Sequence, residues 1–215
     1  MKKTGTIILL FTSIIISAQG EIWDQWDPQI LEKANTAAEY KYYAEEEKKV
    51  VFFMNLARLD GNLFAETILD TYVESNGIEN TYYLRSLYRD LRKVKGLPVL
   101  IPEDDLTGIA QGHATKSGRT GHVGHRNFEE RFEPFMGAPY TNVGENCSYG
   151  HANAIDIVIS LLIDEGVRNL GHRENTLKPE FNSVGVAIRE HKRYRYNCVI
   201  DFGKQDRSKL NEIPF

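Results

Sequence analysis

Four residues beside sharp turns carry groups from which a reactive or ligand-holding site could be built. His122 lies in Thr120-Gly121-His122, Glu145 in Gly144-Glu145-Asn146 and His172 in Gly171-His172-Arg173. Glycine lets each segment turn sharply and approach a neighbour closely. Asp164 adds a second carboxylate shortly before His172. Two imidazoles and two carboxylates brought together suit a divalent metal such as zinc or general acid–base work. The local signature of two histidines one helical turn apart is missing, so convergence depends on the fold. The alternative is four polar residues serving separate turns and caps.

Other chemistries find less support. Ser148, Ser160 and Ser183 lack the glycine-flanked elbow of a hydrolase nucleophile. Neither a phosphate loop nor a dinucleotide fingerprint occurs. The formal charge is −4 without a basic run, which argues against nucleic acid. Cys147 and Cys198 both sit in strand-like segments. In an exported protein an even cysteine count predicts a disulfide between them; two buried thiols are the alternative.

Export is expected from the N-terminus. Met1-Lys2-Lys3 and an apolar run from Ile7 to Ile16 precede Ser17-Ala18, the pattern of a secretory signal cut near Gln19 or Gly20. The run is shorter than the roughly 20 apolar residues that span a bilayer, and no later stretch is apolar enough, so no transmembrane segment is expected in the mature protein. The expected organisation is a signal peptide (1–19), an N-terminal helical extension (20–44), one domain (45–203) and a polar tail (204–215), working in a secreted or periplasmic location.

The elements that would position the four residues follow from periodicity. Asp27-Pro28 starts a helical region. Val50, Phe53, Met54 and Ala57 mark a buried face, and Glu45 to Lys49 reads as a solvated helix face. A helix over 82–95 ends at Gly96-Leu97-Pro98. The next opens after Pro102 with acids in its first turn; its stripe of Leu106, Ile109, Ala110 and His113 makes His113 a core histidine. Residues 117–142 read as a long irregular loop, with a helical turn at Phe128, Arg131 and Phe132. Its aromatics Phe128, Phe132, Phe135 and Tyr140, with Met136, are loop anchors or the wall of an apolar groove. Asn142 to Tyr149 is a strand, Asn153 caps a helix that Gly166 stops, and 181–188 and 196–202 form a hairpin around a polar turn at 189–195. Helices followed by a helix bracketed by strands give an α+β class with a small antiparallel sheet.

The ordered motifs resemble the CAP superfamily: cysteine-rich secretory proteins, antigen five and pathogenesis-related proteins, with bacterial relatives. They are Asn55-Leu56-Ala57-Arg58, Leu97-Pro98-Val99-Leu100, Ala110-Gln111-Gly112-His113-Ala114, Gly121-His122 and Val143-Gly144-Glu145-Asn146. Gly171-His172-Arg173-Glu174-Asn175-Thr176-Leu177, Val184-Gly185-Val186-Ala187 and Val199-Ile200-Asp201-Phe202-Gly203 complete the set. The resemblance implies an α–β–α sandwich with a central cleft holding two histidines and two acids. His122 matches the first histidine, with His125 as its rival. Glu145 matches the first acid and His172 the second histidine. Asp164 stands where many members carry glutamate, with Glu165 beside it. The family's lipid or sterol binding, metal-dependent binding and proteolysis set the expectations. The first is a binding module for a small lipid, sterol or glycan, with zinc at His122 and His172. The others are a metal-dependent hydrolase in which Glu145 and Asp164 act, and an extracellular interaction or adhesion domain.

Overall fold

The computed structural model describes residues 22–205; the expected signal peptide and most of the polar tail lie outside them. The chain enters through α1 (Pro28–Ala34), capped by the Asp27 carboxylate as its Asp-Pro start predicts. The long α2 (Glu45–Leu59) follows. Next, α3 (Gly61–Phe64) runs through a π-helical turn (Ala65–Leu69) into α4 (Asp70–Asn76). Then come α5 (Tyr82–Leu91), β1 (Ile101–Pro102), α6 (Asp104–Thr120), α7 (Phe128–Phe132) and a 3₁₀ turn (Glu133–Phe135). The remaining elements are β2 (Tyr140–Tyr149), α8 (Ala154–Ile163), α9 (Gly171–Leu177), β3 (Ser183–His191) and β4 (Arg195–Gln205).

The strands form one sheet in the order β1-β3-β4-β2. The pairs β3–β4 and β2–β4 are antiparallel, and short β1 joins β3 in parallel. On one face Val184, Val186, Cys198, Ile200 and Phe202 pack into a core shared with α2, α5 and α8. On the other, Ala110 and Ala114 of α6 meet Cys147, Ala187 and Val199. Strand side chains alternate between faces, so the sheet is covered on both sides and the fold is the α–β–α sandwich expected.

Close approach of α6 explains two glycines. A Cβ on Gly185 would fall 2.1 Å from the Leu106 carbonyl carbon, and one on Gly118 would fall 2.0 Å from the Glu190 oxygen. Both obstacles are backbone and cannot turn aside. Gly185→Ala is therefore expected to cost about 3 kcal/mol, the upper end of ordinary overpacking, measured by urea unfolding. A loss below about 0.5 kcal/mol would show that helix and sheet can slide apart freely.

Several local expectations change. α5 stops at Leu91 rather than Lys95, because the chain turns back to pair with the end of α2 through Gly96 N to Leu59 O and Leu97 N to Arg58 O. The irregular loop loses its ends to α6 and β2. α8 ends at Asp164, itself left-handed, before Gly166 is reached. The hairpin turn tightens to 192–194, since Arg189 and His191 continue the ladder opposite Asn197 and Arg195. Glu47 is buried, contrary to a solvated face: it accepts from Ala44 N, Ile188 N and the Arg189 guanidinium.

The disulfide is also overturned: Cys147 and Cys198 are free and buried. Cys147 sits opposite Val199 in the ladder and Cys198 opposite Ser148. That offset of one residue points the two sulfurs to opposite faces of the sheet, and they belong to separate cores.

Candidate functional site

The loop after α6, with α7 and β2, builds a charged cluster around Glu145. Its side chain is 1% exposed. Arg131 of α7 grips it with two hydrogen bonds of 2.6 and 3.0 Å, and His125 Nδ1 lies 2.8 Å from Oε1. Such a bidentate pair is the strong form of ion pair. The Arg131 Nε–H donates to the Arg126 carbonyl at 3.1 Å, and the guanidinium lies over the Phe128 and Phe132 rings. His113 of α6 comes within 3.8 Å of the same carboxylate, while its Nε2 bonds the Gly124 carbonyl at 3.0 Å. The core-histidine expectation for His113 therefore holds, and it also walls the cluster.

Asp201 of β4 stands opposite Glu145 in the ladder and is completely buried. No N–H or hydroxyl donor reaches either of its oxygens. Two facing carboxyls in such a place are compatible only if one is protonated, and Asp201 then gives its hydrogen to Glu145. Burial, then the Glu145 charge, push the Asp201 carboxyl well above its usual range. Burial would also raise Glu145, but the hydrogen bonds from His125 and Arg131 outweigh it and hold that carboxyl at about 2. Burial lowers His113 and raises the Cys147 thiol, so both are neutral at pH 7.

A pH dependence follows. Unfolded, both carboxyls ionise near about pH 4. Folded, the pair keeps one proton from about pH 2 up to the raised value of Asp201. Below about pH 4 the unfolded chain binds more protons, so this pair makes stability rise with pH. Above about pH 4 the folded chain binds more, and stability falls with rising pH by up to about 1.4 kcal/mol per unit. Asp201→Asn keeps the donor and abolishes that fall. Urea unfolding of both proteins between about pH 5 and 7 checks this; identical slopes would mean that Asp201 is ionised in the fold.

A second group lies at the start of α9. Asp164 accepts from the backbone N–H of His172 at 2.9 Å and of Arg173 at 3.3 Å, so it caps this helix. Its other oxygen is 2.7 Å from His172 Nδ1, which fixes the ring. Asn146 and Asn175 tie the two groups: Asn146 Nδ2 donates to the His172 carbonyl and Asn175 Nδ2 to Asn146 Oδ1.

The four sequence candidates thus fall into different places. Asp164 and His172 meet each other. Glu145 meets His125, not His122. His122 lines a cavity beside the cluster, and its carbonyl accepts from His191 Nε2 at 2.9 Å. Glu165 is exposed, whereas its sequence neighbour Asp164 is buried. Among the described residues, the group with ligand atoms within 4.8 Å of one another is His113, Glu145 and Cys147, which could hold a metal ion. As folded, it does not fit one well. The Arg131 guanidinium already neutralises Glu145, His113 Nε2 is engaged with a carbonyl, and the thiol is held protonated. No three of His122, Glu145, Asp164 and His172 form such a group.

Sequence reasoning missed Arg131 and Asp201 as functional partners. Asp201 carried a signal: it is the one acid in the apolar run Cys198–Phe202. Arg131 carried none beyond its place between two phenylalanines.

This arrangement of sheet, α6 and Glu145 strand belongs to a known class. The model of the cysteine-rich secretory protein family, CAP, matches residues 85–202. That is more than half of the 215 residues, and the chain belongs to this family. Among solved structures it is similar to an extracellular protein containing an SCP domain from Bacillus anthracis, at 17% identity and TM-score 0.45, covering 74% of this chain and 41% of that one. It is also similar to an outer surface protein of Borrelia burgdorferi, at 20% identity and TM-score 0.44, covering 60% of this chain and 97% of the other. The chain thus spans less than half the length of the Bacillus protein. No curated protein matches it.

Proposed function

We propose that this CAP domain is an exported binding module whose cleft, beside the Glu145 cluster, takes a small ligand. One observation carries the reading: a cavity of about 430 Å³ opens between α6 and α7, walled by His113, His122 and Arg131. That volume lies within the range of small-molecule sites. Export is supported by the lysine-led apolar N-terminus and by the secretory family. The loop aromatics expected to serve a lipid or sterol are committed to packing: Phe132 and Tyr140 are buried with Leu106, and Phe128 and Phe135 pack on them. A ligand with polar or charged groups fits this wall better, since Lys116, Arg126 and Asn127 stand on it. Zinc at His122 and His172 is not needed for this reading.

The hydrolase reading has one observation in its favour. Ser117, His113 and Glu145 stand in series, with Ser117 Oγ 3.5 Å from Nδ1 and Nε2 3.8 Å from the carboxylate. Both gaps exceed the roughly 2.6–3.2 Å reach of a proton relay, and Nε2 faces a carbonyl instead.

A thermal-shift panel of lipids, sterols, glycans and small acids tests the binding reading, with Gly112→Leu as the blocked control. One class should raise the Tm of the native protein and not of the blocked one. Silence across the panel, together with turnover of a peptide or ester lost in Ser117→Ala, would replace binding by hydrolysis.

A further inference from the structure

The charge around this cavity is lopsided. Lys116, Arg126 and Arg131 line it with the imidazoles of His113 and His122; Glu130 is the one carboxylate on the wall, and it accepts from Asn127 Nδ2. The Glu145 cluster beside the cavity adds little net charge, because Arg131 pairs with Glu145 and Asp201 is buried against it as the protonated partner. What remains is the rim, where the side chains of Lys116 and Arg126 make no hydrogen bond or ion pair with the protein. This occurs in a chain of formal charge −4, so a positive concavity stands against an acidic background and concentrates anions.

The α6 wall is bare in the two turns that precede Lys116. Gly108 and Gly112 are one helical turn apart on α6 and both line the cavity. A Cβ built on either meets nothing within 4 Å. The wall there is helix backbone, which a flat ring could approach closely. The cavity continues across these glycines into a groove reached by Arg119, so the only charges met along the way are cationic.

Taking the binding-module reading as its basis, we propose that the cavity between α6 and α7 binds a small organic anion. Its acidic group, a carboxylate, sulfate or phosphate monoester, is held by Lys116 and Arg126, and its ring lies on the Gly108–Gly112 face. Arg126 offers the planar fork that suits such oxyanions, and Lys116 a point charge. His122 contacts the ligand at the mouth. Arg131 takes no direct part, since Glu145 and a carbonyl engage its guanidinium.

Isothermal titration and NMR of the histidine rings in the purified protein test this, with phenyl phosphate, inorganic phosphate and neutral phenyl glucoside as probes. Phenyl phosphate is expected to bind one to one, to shift His122 and to weaken as ionic strength rises. Replacing Lys116 and Arg126 together by alanine should weaken it by about tenfold or more. Gly112→Leu should abolish binding while leaving the circular dichroism unchanged, because the new side chain enters open space. Equal binding of inorganic phosphate would support the anion subsite and overturn the ring contact. Binding of phenyl glucoside as tight as that of phenyl phosphate, with the same residues shifting, would overturn the anion preference and leave the binding module standing. If no probe moves His122 and a wider panel also fails, both readings fall together.

Discussion

Arg131→Met is expected to lower the stability of the protein by about 3–5 kcal/mol at neutral pH, the loss typical of stripping one partner from a buried ion pair. The reason is what stays behind. Glu145 is 1% exposed and faces Asp201 across the ladder. Without the guanidinium, its charge has only His125 and the Asp201 proton to meet it. The carboxyl would then take up a proton more readily, so the loss should shrink as pH falls toward about 4. Arg131→Met combined with Glu145→Gln should regain most of the stability, because the charge that needed a partner is gone. Urea unfolding of the single and double variants measures this. A loss under about 1 kcal/mol in the single variant would class the pair with solvent-screened surface bridges.

Arg58→Met should be comparably severe, for a different reason. Arg58 is wholly buried, and burial lowers its guanidinium to about 10. It donates to four backbone carbonyls, those of Pro98 (2.8 Å), Thr176 (2.8 Å), Lys178 (3.0 Å) and Phe181 (2.6 Å). It thereby staples the end of α2 to the strand-bound segment after α5 and to the turn after α9. Each carbonyl left without a donor costs about 1–3 kcal/mol. Allowing for water reaching some of them, the sum is about 4 kcal/mol, or a fall in Tm of roughly 8–16 °C. Arg58→Lys should recover little, since one ammonium cannot span four acceptors. Calorimetry of both variants decides it; a lysine variant as stable as the native protein would show that charge alone suffices.

These two arginines show where the sequence was legible. Asn55 and Arg58 were visible as parts of a family motif, and the motif marks a polar brace: Asn55 bonds Leu100 N and O and the Ala34 carbonyl. The helical stripe of Ala110, His113 and Ala114 and the cap at Asn153 were readable because local periodicity and capping chemistry determine them. The α+β class followed from element order, and the α–β–α layering from the family resemblance. The charged cluster was not readable, because it joins α6, α7, β2 and β4 across long stretches of chain. His122 and His125 differ by less than one turn of loop, and only the docking of α7 decides which faces Glu145. Asp164 was visible as a carboxylate shortly before His172, yet its left-handed backbone and its grip on the first N–H groups of α9 depend on a turn that periodicity does not encode.

The register that keeps the two cysteines apart has a practical consequence. Each face of the sheet carries one native thiol, Cys147 under α6 and Cys198 under α2 and α8. Reductant should leave folding untouched, so the domain can be made equally well in reducing and oxidising surroundings. The rates at which a thiol reagent reaches the two sulfurs then report separately on the opening of the two helical layers, without any engineered label.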